Sequence, residues 1–309
     1  MKRRELFQKS AALGLLTSIP SAVVALMGDA SSPAAQSATT KRTTSSNELK
    51  APVRGSIPVA FLLSEGAVVI DFCGPWEVFE NVNVPGRTEA PFSLYTVAQT
   101  TRPIHSSGGM RIIPEHTFDS APAPKVLVIP AQDESSEAML NWIRHMSKST
   151  DVTMSVCTGA FVLARTGLLS GKAATTHHSS YRSFAMQFPD VHVKRGARFV
   201  EDGNLASSGG LSSGIDLALR VVERYFGREI ANKTAYQMEY QGQGWTDPDS
   251  NNVYAEELIS TDDHPLCPVC KMDVAKTGPR SIYENETYYF CMADHKSKFD
   301  AAPDKYVNR

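Results

Sequence analysis

The chain has 309 residues, 31 Lys and Arg against 33 Asp and Glu, and 42% hydrophobic residues. That length suits one sizeable domain plus a smaller one, with enough apolar content to bury a core. A net charge of -2, with no basic block beyond the first few residues, gives no nucleic-acid footprint and points to a small molecule or a metal ion as partner.

In chain order, "MKRRELFQKSAALGLLTSIPSAVVALMGDA" pairs Arg3 and Arg4 ahead of a modest apolar stretch that Pro20 interrupts and small residues close at Ala30. Residues 1–30 are therefore expected to be a twin-arginine-type signal peptide, exporting the folded protein to the periplasm and leaving no stable membrane anchor after cleavage. The alternative, a short helix or anchor, needs a longer apolar run of ~20 residues. Residues 31–54 follow as a Ser/Thr/Ala-rich tether that cannot bury enough apolar surface to order itself.

From Pro58 the pattern changes. "PVAFLLS", "KVLVIPA" and "VTMSV" are short continuous apolar runs, as strands covered on both faces require, and "FSLYTVAQ" also reads as a strand. Between them "ESSEAMLNWIRHMSKS" carries helical periodicity in Met139, Leu140, Ile143 and Met146, and Gly74-Pro75 is expected to open a helix carrying Trp76, Val78 and Phe79. Strands alternating with helices imply crossover connections and a mostly parallel sheet, with the chemistry outside the carboxyl ends of its strands. Cys157 falls at such an end. On a sharp strand-to-helix turn, helix N–H groups and the dipole favour the thiolate and lower the thiol pKa. Small neighbours at Gly159 and Ala160 leave room for a substrate. The local pattern equally allows a small buried core cysteine, among the most buried of residue types.

The run "VCTGAFVLARTGLLSGKAATTHH", with "DFCGPWEVFE" before it and "RFVEDGNLASSGGLSSGIDLALRVVERYFG" after it, resembles the DJ/PfpI superfamily, the class I glutamine amidotransferase-like fold. Within it the resemblance is greatest to the isonitrile hydratase branch and to the amidase-like sensor domains of some transcription regulators. It implies a flavodoxin-like three-layer sandwich over residues 55–243 that needs no cofactor, a homodimer, and Cys157 on a nucleophile elbow. It also places Asp71, at the end of an early strand, beside the cysteine; a turn or cap residue before Gly74-Pro75 is the lesser alternative. Thr158 matches the hydratase branch, where protease-like relatives have His. His177, ending the strand "AATTH", is implied to lie near the thiol, with a solvent-facing strand-end His as the alternative. The chain departs from the family at His178, where hydratase-like members tend to have Trp. It departs again at Ala131-Gln132, where paired glycines usually supply an oxyanion donor. "SSGGLSSGID", containing Gly210, resembles the loop that closes the family pocket, or serves as a flexible loop with Ser212 or Ser213 as N-cap. Cys73 reads as packing against the sheet, or as a resolving thiol for Cys157.

"GQGWTDPDSNN" opens a linker expected over residues 244–262. Beyond it, Cys267 and Cys270 stand as C-x-x-C and Cys291 and His295 as C-x-x-x-H, on either side of a hairpin-like segment with Asn285. Two close pairs are what a four-coordinate N/S metal site needs. "CPVCKMDV", "YYFCMADHKSKF" and "PDKYV" resemble a YHS domain, a short metal-binding module. Residues 263–309 are thus expected to be a metal-stapled α+β module holding zinc or copper, with a disulfide among the three cysteines as the alternative; Met272 reads as a packing residue and His264 as a linker residue, with a ligand role for either as the alternative. Three functions follow: a Cys157-dependent hydratase or hydrolase, a ligand or redox sensor on the same fold, and a metal-handling protein with the α/β domain as scaffold.

Overall fold

The computed structural model describes residues 48–133, 135–256, 260–263, 265–269 and 274–307. The expected signal, most of the tether, Cys270, His264 and Met272 lie outside them. A seven-stranded sheet organises the α/β region, built from β1 (Ile57–Leu62), β2 (Phe92–Ala98), β5 (His116–Thr117), β6 (Val126–Ile129), β7 (Val152–Val156), β10 (Phe199–Asp202) and β11 (Leu205–Ser208). Short pairs β3 (Ile104–His105) with β4 (Arg111–Ile112) and β8 (Ala173–Ala174) with β9 (His192–Val193) stand outside it. Its order is β10-β11-β7-β6-β1-β2-β5, parallel except where the β10–β11 hairpin closes one edge.

The continuous apolar strands are those buried on both faces. Val59 and Phe61 of β1 join a core with α1 (Val69–Glu80), α5 (Ser213–Phe226) and α6 (Arg228–Gln237). Ala60 and Leu62 face the opposite core with α2 (Glu137–Met146), α3 (Gly159–Arg165) and α4 (Tyr181–Gln187). Helices on both faces make the three-layer, flavodoxin-like sandwich, and each buried Leu or Phe contributes about 1.5–3 kcal/mol to it. α2 begins as its sequence dictates, with the Ser136 side chain accepting from the Met139 N–H.

Three local expectations are corrected. α1 starts at Val69, so Pro75 lies inside the helix rather than in its first turn, and Asp71 sits in that first turn rather than at a strand end. The punctuation at Gly74-Pro75 has a packing cause: a Cβ on Gly74 would stand 2.9 Å from Ile215, where α1 crosses α5. The strand "AATTH" pairs only through Ala173 and Ala174, with β9, and His177 instead caps a 3-10 turn, His178–Ser180. Ser212 occupies the cap position of α5 without a side-chain cap bond, its hydroxyl accepting from Arg198 instead.

Residues 244–255, expected as linker, lie against the α/β region. Trp245 is buried, its backbone N–H donating to Asp216, and the Arg198 backbone N–H donates to the Pro248 carbonyl. In the C-terminal module β12 (Arg280–Tyr283) and β13 (Glu286–Tyr289) form an antiparallel hairpin. Glu284 and Asn285 both take positive φ at its turn, as a tight two-residue hairpin demands. With α7 (Ala293–Ala301) the hairpin covers a small core of Cys267, Val274, Phe290 and Phe299. No helix among the described residues is long and apolar enough to cross a membrane.

Candidate functional site

Cys157 follows β7 and precedes α3, and its φ of 57° is the left-handed strand-to-helix elbow that a non-glycine residue adopts only under constraint. The constraint is visible: its N–H donates to the Gly209 carbonyl at 3.0 Å, and its carbonyl accepts the Thr176 hydroxyl at 3.0 Å. Around the sulfur stand the Leu211 N–H, the Thr158 N–H and the Thr158 hydroxyl, all favouring negative charge there. Leu211, itself at φ 37°, joins the expected Gly210 loop as an unforeseen donor. Its side chain gave no sign of that role, because the backbone carries it.

Asp71 is fully buried. Its Oδ2 accepts the Ala131 N–H at 3.1 Å, while Oδ1 has no hydrogen-bond partner among the described residues. Burial raises its carboxyl to about 7, more than the Ala131 bond lowers it. Against the lowering that the helix N–H groups favour, burial first, and the Asp71 charge second, push the Cys157 thiol up to about 12. Three hydrogen-bond donors do not compensate for the burial of a residue only 7% exposed. The resting pair near neutral pH is a thiol beside a carboxyl poised between its two forms.

Gly159 is small for a reason other than substrate access. A Cβ there would stand 2.3 Å from the Ile129 carbonyl oxygen, so glycine lets α3 close onto the end of β6. The Ala131 N–H is occupied by Asp71, and Ala131 accepts from the Val68 N–H. Gln132 bonds Ser64 through its side chain at 3.0 Å.

His177 packs against Gly210, where a Cβ would come within 2.3 Å of its ring. The Ser179 N–H donates to its Nδ1 at 3.3 Å, so the neutral ring carries its proton on Nε2. Burial, and then neighbouring His178, lower its pKa to about 4, so it stays neutral at pH 7. Thr176, rather than His177, holds the elbow. A surface concavity of about 520 Å3 beside Tyr181, Met186, Val191 and Arg195 contains none of the expected site residues.

In the C-terminal module, Cys267, Cys291 and His295 converge, their donor atoms within 4.8 Å of one another. Cys267 Sγ lies 4.0 Å from Cys291 Sγ and 3.7 Å from His295 Nδ1, and Cys291 Sγ lies 3.1 Å from the same nitrogen. Tetrahedral zinc with bonds of about 2.3 Å to sulfur spaces its ligands by roughly 3.5–3.8 Å, so this set fits. The fourth expected ligand, Cys270, lies outside the described residues.

A flavodoxin-like sandwich with a cysteine on a left-handed elbow at a parallel strand end, faced by a buried carboxyl, defines the class of nucleophile-elbow α/β proteins. More particularly, residues 58–224 match the DJ-1/PfpI family, and the chain belongs to it. It is 31% identical over 193 residues to an isonitrile hydratase of Pseudomonas putida, covering 60% of this chain and 79% of that protein. It is 24% identical over 187 residues to the HTH-type transcriptional regulator GbdR of Pseudomonas aeruginosa, a stretch that is 50% of the regulator. The crystal structure of a THiJ/PfpI family protein from Pseudomonas syringae superposes with TM-score 0.55 at 27% identity, covering 63% of this chain and 79% of that one.

Proposed function

We propose that this protein is an exported, Cys157-dependent enzyme that hydrates or hydrolyses a small carbon–nitrogen electrophile, with a metal-binding module at its C-terminus. The observation that carries the reading is the buried Asp71 carboxyl, raised to about 7, facing a constrained elbow thiol. A thiol this reluctant to ionise needs a base at the moment of attack, and a carboxyl poised near neutrality serves.

For an isonitrile the chemistry balances as follows. The Asp71 carboxylate takes the S–H proton as the sulfur lone pair forms a bond to the terminal carbon. The carbon lone pair then takes that proton from Asp71, giving a thioimidate. Water adds across the C=N bond, its oxygen to that carbon and one proton to the nitrogen; the C–S bond then breaks as the carbonyl forms, the hydroxyl proton passes to sulfur, and an N-substituted formamide leaves. The Leu211 and Thr158 N–H groups hold charge on the sulfur as it enters and leaves. Likeness to the Pseudomonas putida hydratase supports this substrate class. Incubation with a panel of alkyl and aryl isonitriles, with formamide detected by mass spectrometry, tests it. No turnover by the wild type, or turnover unchanged in Cys157→Ala, defeats the reading.

A second reading, ligand sensing without turnover, is favoured by one observation: the Ala131 N–H, where the family's glycines offer a donor, is taken by Asp71. For the module, Cys267, Cys291 and His295, with Cys270, would hold zinc or copper, which staples so small a core. Their mixed sulfur and imidazole character suits zinc. Export and a homodimer belong to the same proposal, supported by the Arg3-Arg4 segment and by the family resemblance. N-terminal sequencing of periplasmic material and sedimentation test them.

A further inference from the structure

The glycine loop that brings the Leu211 N–H to the Cys157 sulfur is held from outside by residues 245–255. Asn251 is the inner clamp. Its Oδ1 accepts from Arg198 at 3.2 Å, its Nδ2 donates to Ser213 at 3.5 Å, and a Cβ on Gly209 would lie 2.8 Å from that nitrogen. Arg198 in turn bonds Asp216 at 2.7 Å and Ser212 at 3.1 Å, and Tyr240 donates to Asp216 at 2.9 Å. The segment seats closely on the domain. Gly196, at φ 72°, has no room for a Cβ, which would meet Ala255 at 2.9 Å and Asn252 at 3.0 Å.

Where the segment turns outward, Tyr254 lies over His178 with ring centres 4.9 Å apart, and His178 lies over His177 at 4.3 Å. His177 abuts Gly210, next to Leu211. A continuous wall of three rings thus runs from the strap to the residue beside the sulfur's N–H donor. Tyr254 is 45% exposed, so the wall ends at the surface.

We propose that residues 245–255 are a strap that completes the Cys157 site, Asn251 positioning the glycine loop and Tyr254, through His178, forming the outer wall that decides which electrophiles reach the sulfur. The proposal rests on Cys157 as the reactive group. Such a wall admits a slender electrophile presented end-on, such as a terminal carbon–nitrogen group, and turns away a broad one.

The test uses the full chain and two thiol reagents, iodoacetamide and a fluorescein maleimide, with Cys157 labelling followed by peptide mass spectrometry. Cys73 in the same sample reports any general loosening. Tyr254→Ala should raise the Cys157 rate constant for the broad reagent about tenfold and change that for iodoacetamide less than about twofold. Tyr254→Phe should leave both as in the wild type, and Tyr254→Trp should slow the broad reagent alone. Equal changes for both reagents, or no change in Tyr254→Ala, would overturn the proposal. Because alkylation is read rather than turnover, a chain that hydrates nothing still gives a decisive result.

Discussion

Replacing Asp71 by Asn keeps the side chain's shape and the acceptor for the Ala131 N–H, and removes the titration. The native carboxyl is raised from 3.8 to about 7, chiefly because burial penalises its charged form. Below pH 3.8 both folded and unfolded chains hold this proton, and it contributes nothing to their difference. Between there and pH 7 the folded state binds the proton that the unfolded state has lost, so stability falls by about 1.4 kcal/mol per pH unit. Above pH 7 the folded carboxylate is ionised and buried, and the full cost, about 4 kcal/mol over some three units, persists. Asp71→Asn should therefore be close to neutral at pH 4 and increasingly stabilising up to pH 8, while losing turnover. Urea unfolding of both proteins at pH 4, 6 and 8, followed by tryptophan fluorescence, reads the difference. All other titrating groups cancel in it. A stability difference constant across that range would refute the assignment of a buried, raised carboxyl and the proton-shuttle role built on it.

The Cys157 thiol, pushed up to about 12, should alkylate with iodoacetamide at a rate still climbing at pH 10; a plateau near pH 7 would show a thiolate the burial argument excludes. Gly159→Ala drives a Cβ into backbone carbonyl groups that cannot move aside, and should cost about 3 kcal/mol or prevent soluble folding; thermal unfolding within a degree of wild type would contradict this. Elemental analysis of untagged protein should find one zinc per chain. Cys291→Ser should lower that stoichiometry while leaving the iodoacetamide reactivity of Cys157 unchanged, and an unaltered metal content would remove Cys291 from the ligand set.

What could be read from the sequence divides along a physical line. Strands β1, β6 and β7 were legible because a strand buried on both faces must be apolar throughout, and Cys157 was legible because it ends one of them. The elbow's donors were not. Leu211 and Thr158 act through backbone N–H groups, and Thr176 through a hydroxyl that many buried threonines share. Asp71 was placed beside the thiol by resemblance, but helix α1 begins six residues earlier than Gly74-Pro75 suggested, because proline punctuation is overridden where two helices must touch. The thiol's acidity is not legible from local signals alone. Helix-terminus effects act at short range, whereas desolvation depends on everything packed above the sulfur.

The strap shows the same limit from the other side. "GQGWTDPDSNN" has the composition of a linker, and composition reports only what a segment contributes to its own burial. Trp245 and Asn251 are buried in contacts made by α5 and by the loop around Gly209, more than 25 residues away in the chain. Most of the strap's remaining residues are polar because they face water, as a wall of a surface site must. A loop rich in turn formers that also carries a tryptophan is therefore worth reading as a docked element. On the proposal made above, the sheet fixes the sulfur, α1 supplies the carboxyl, and the strap sets the aperture through which an electrophile meets them both.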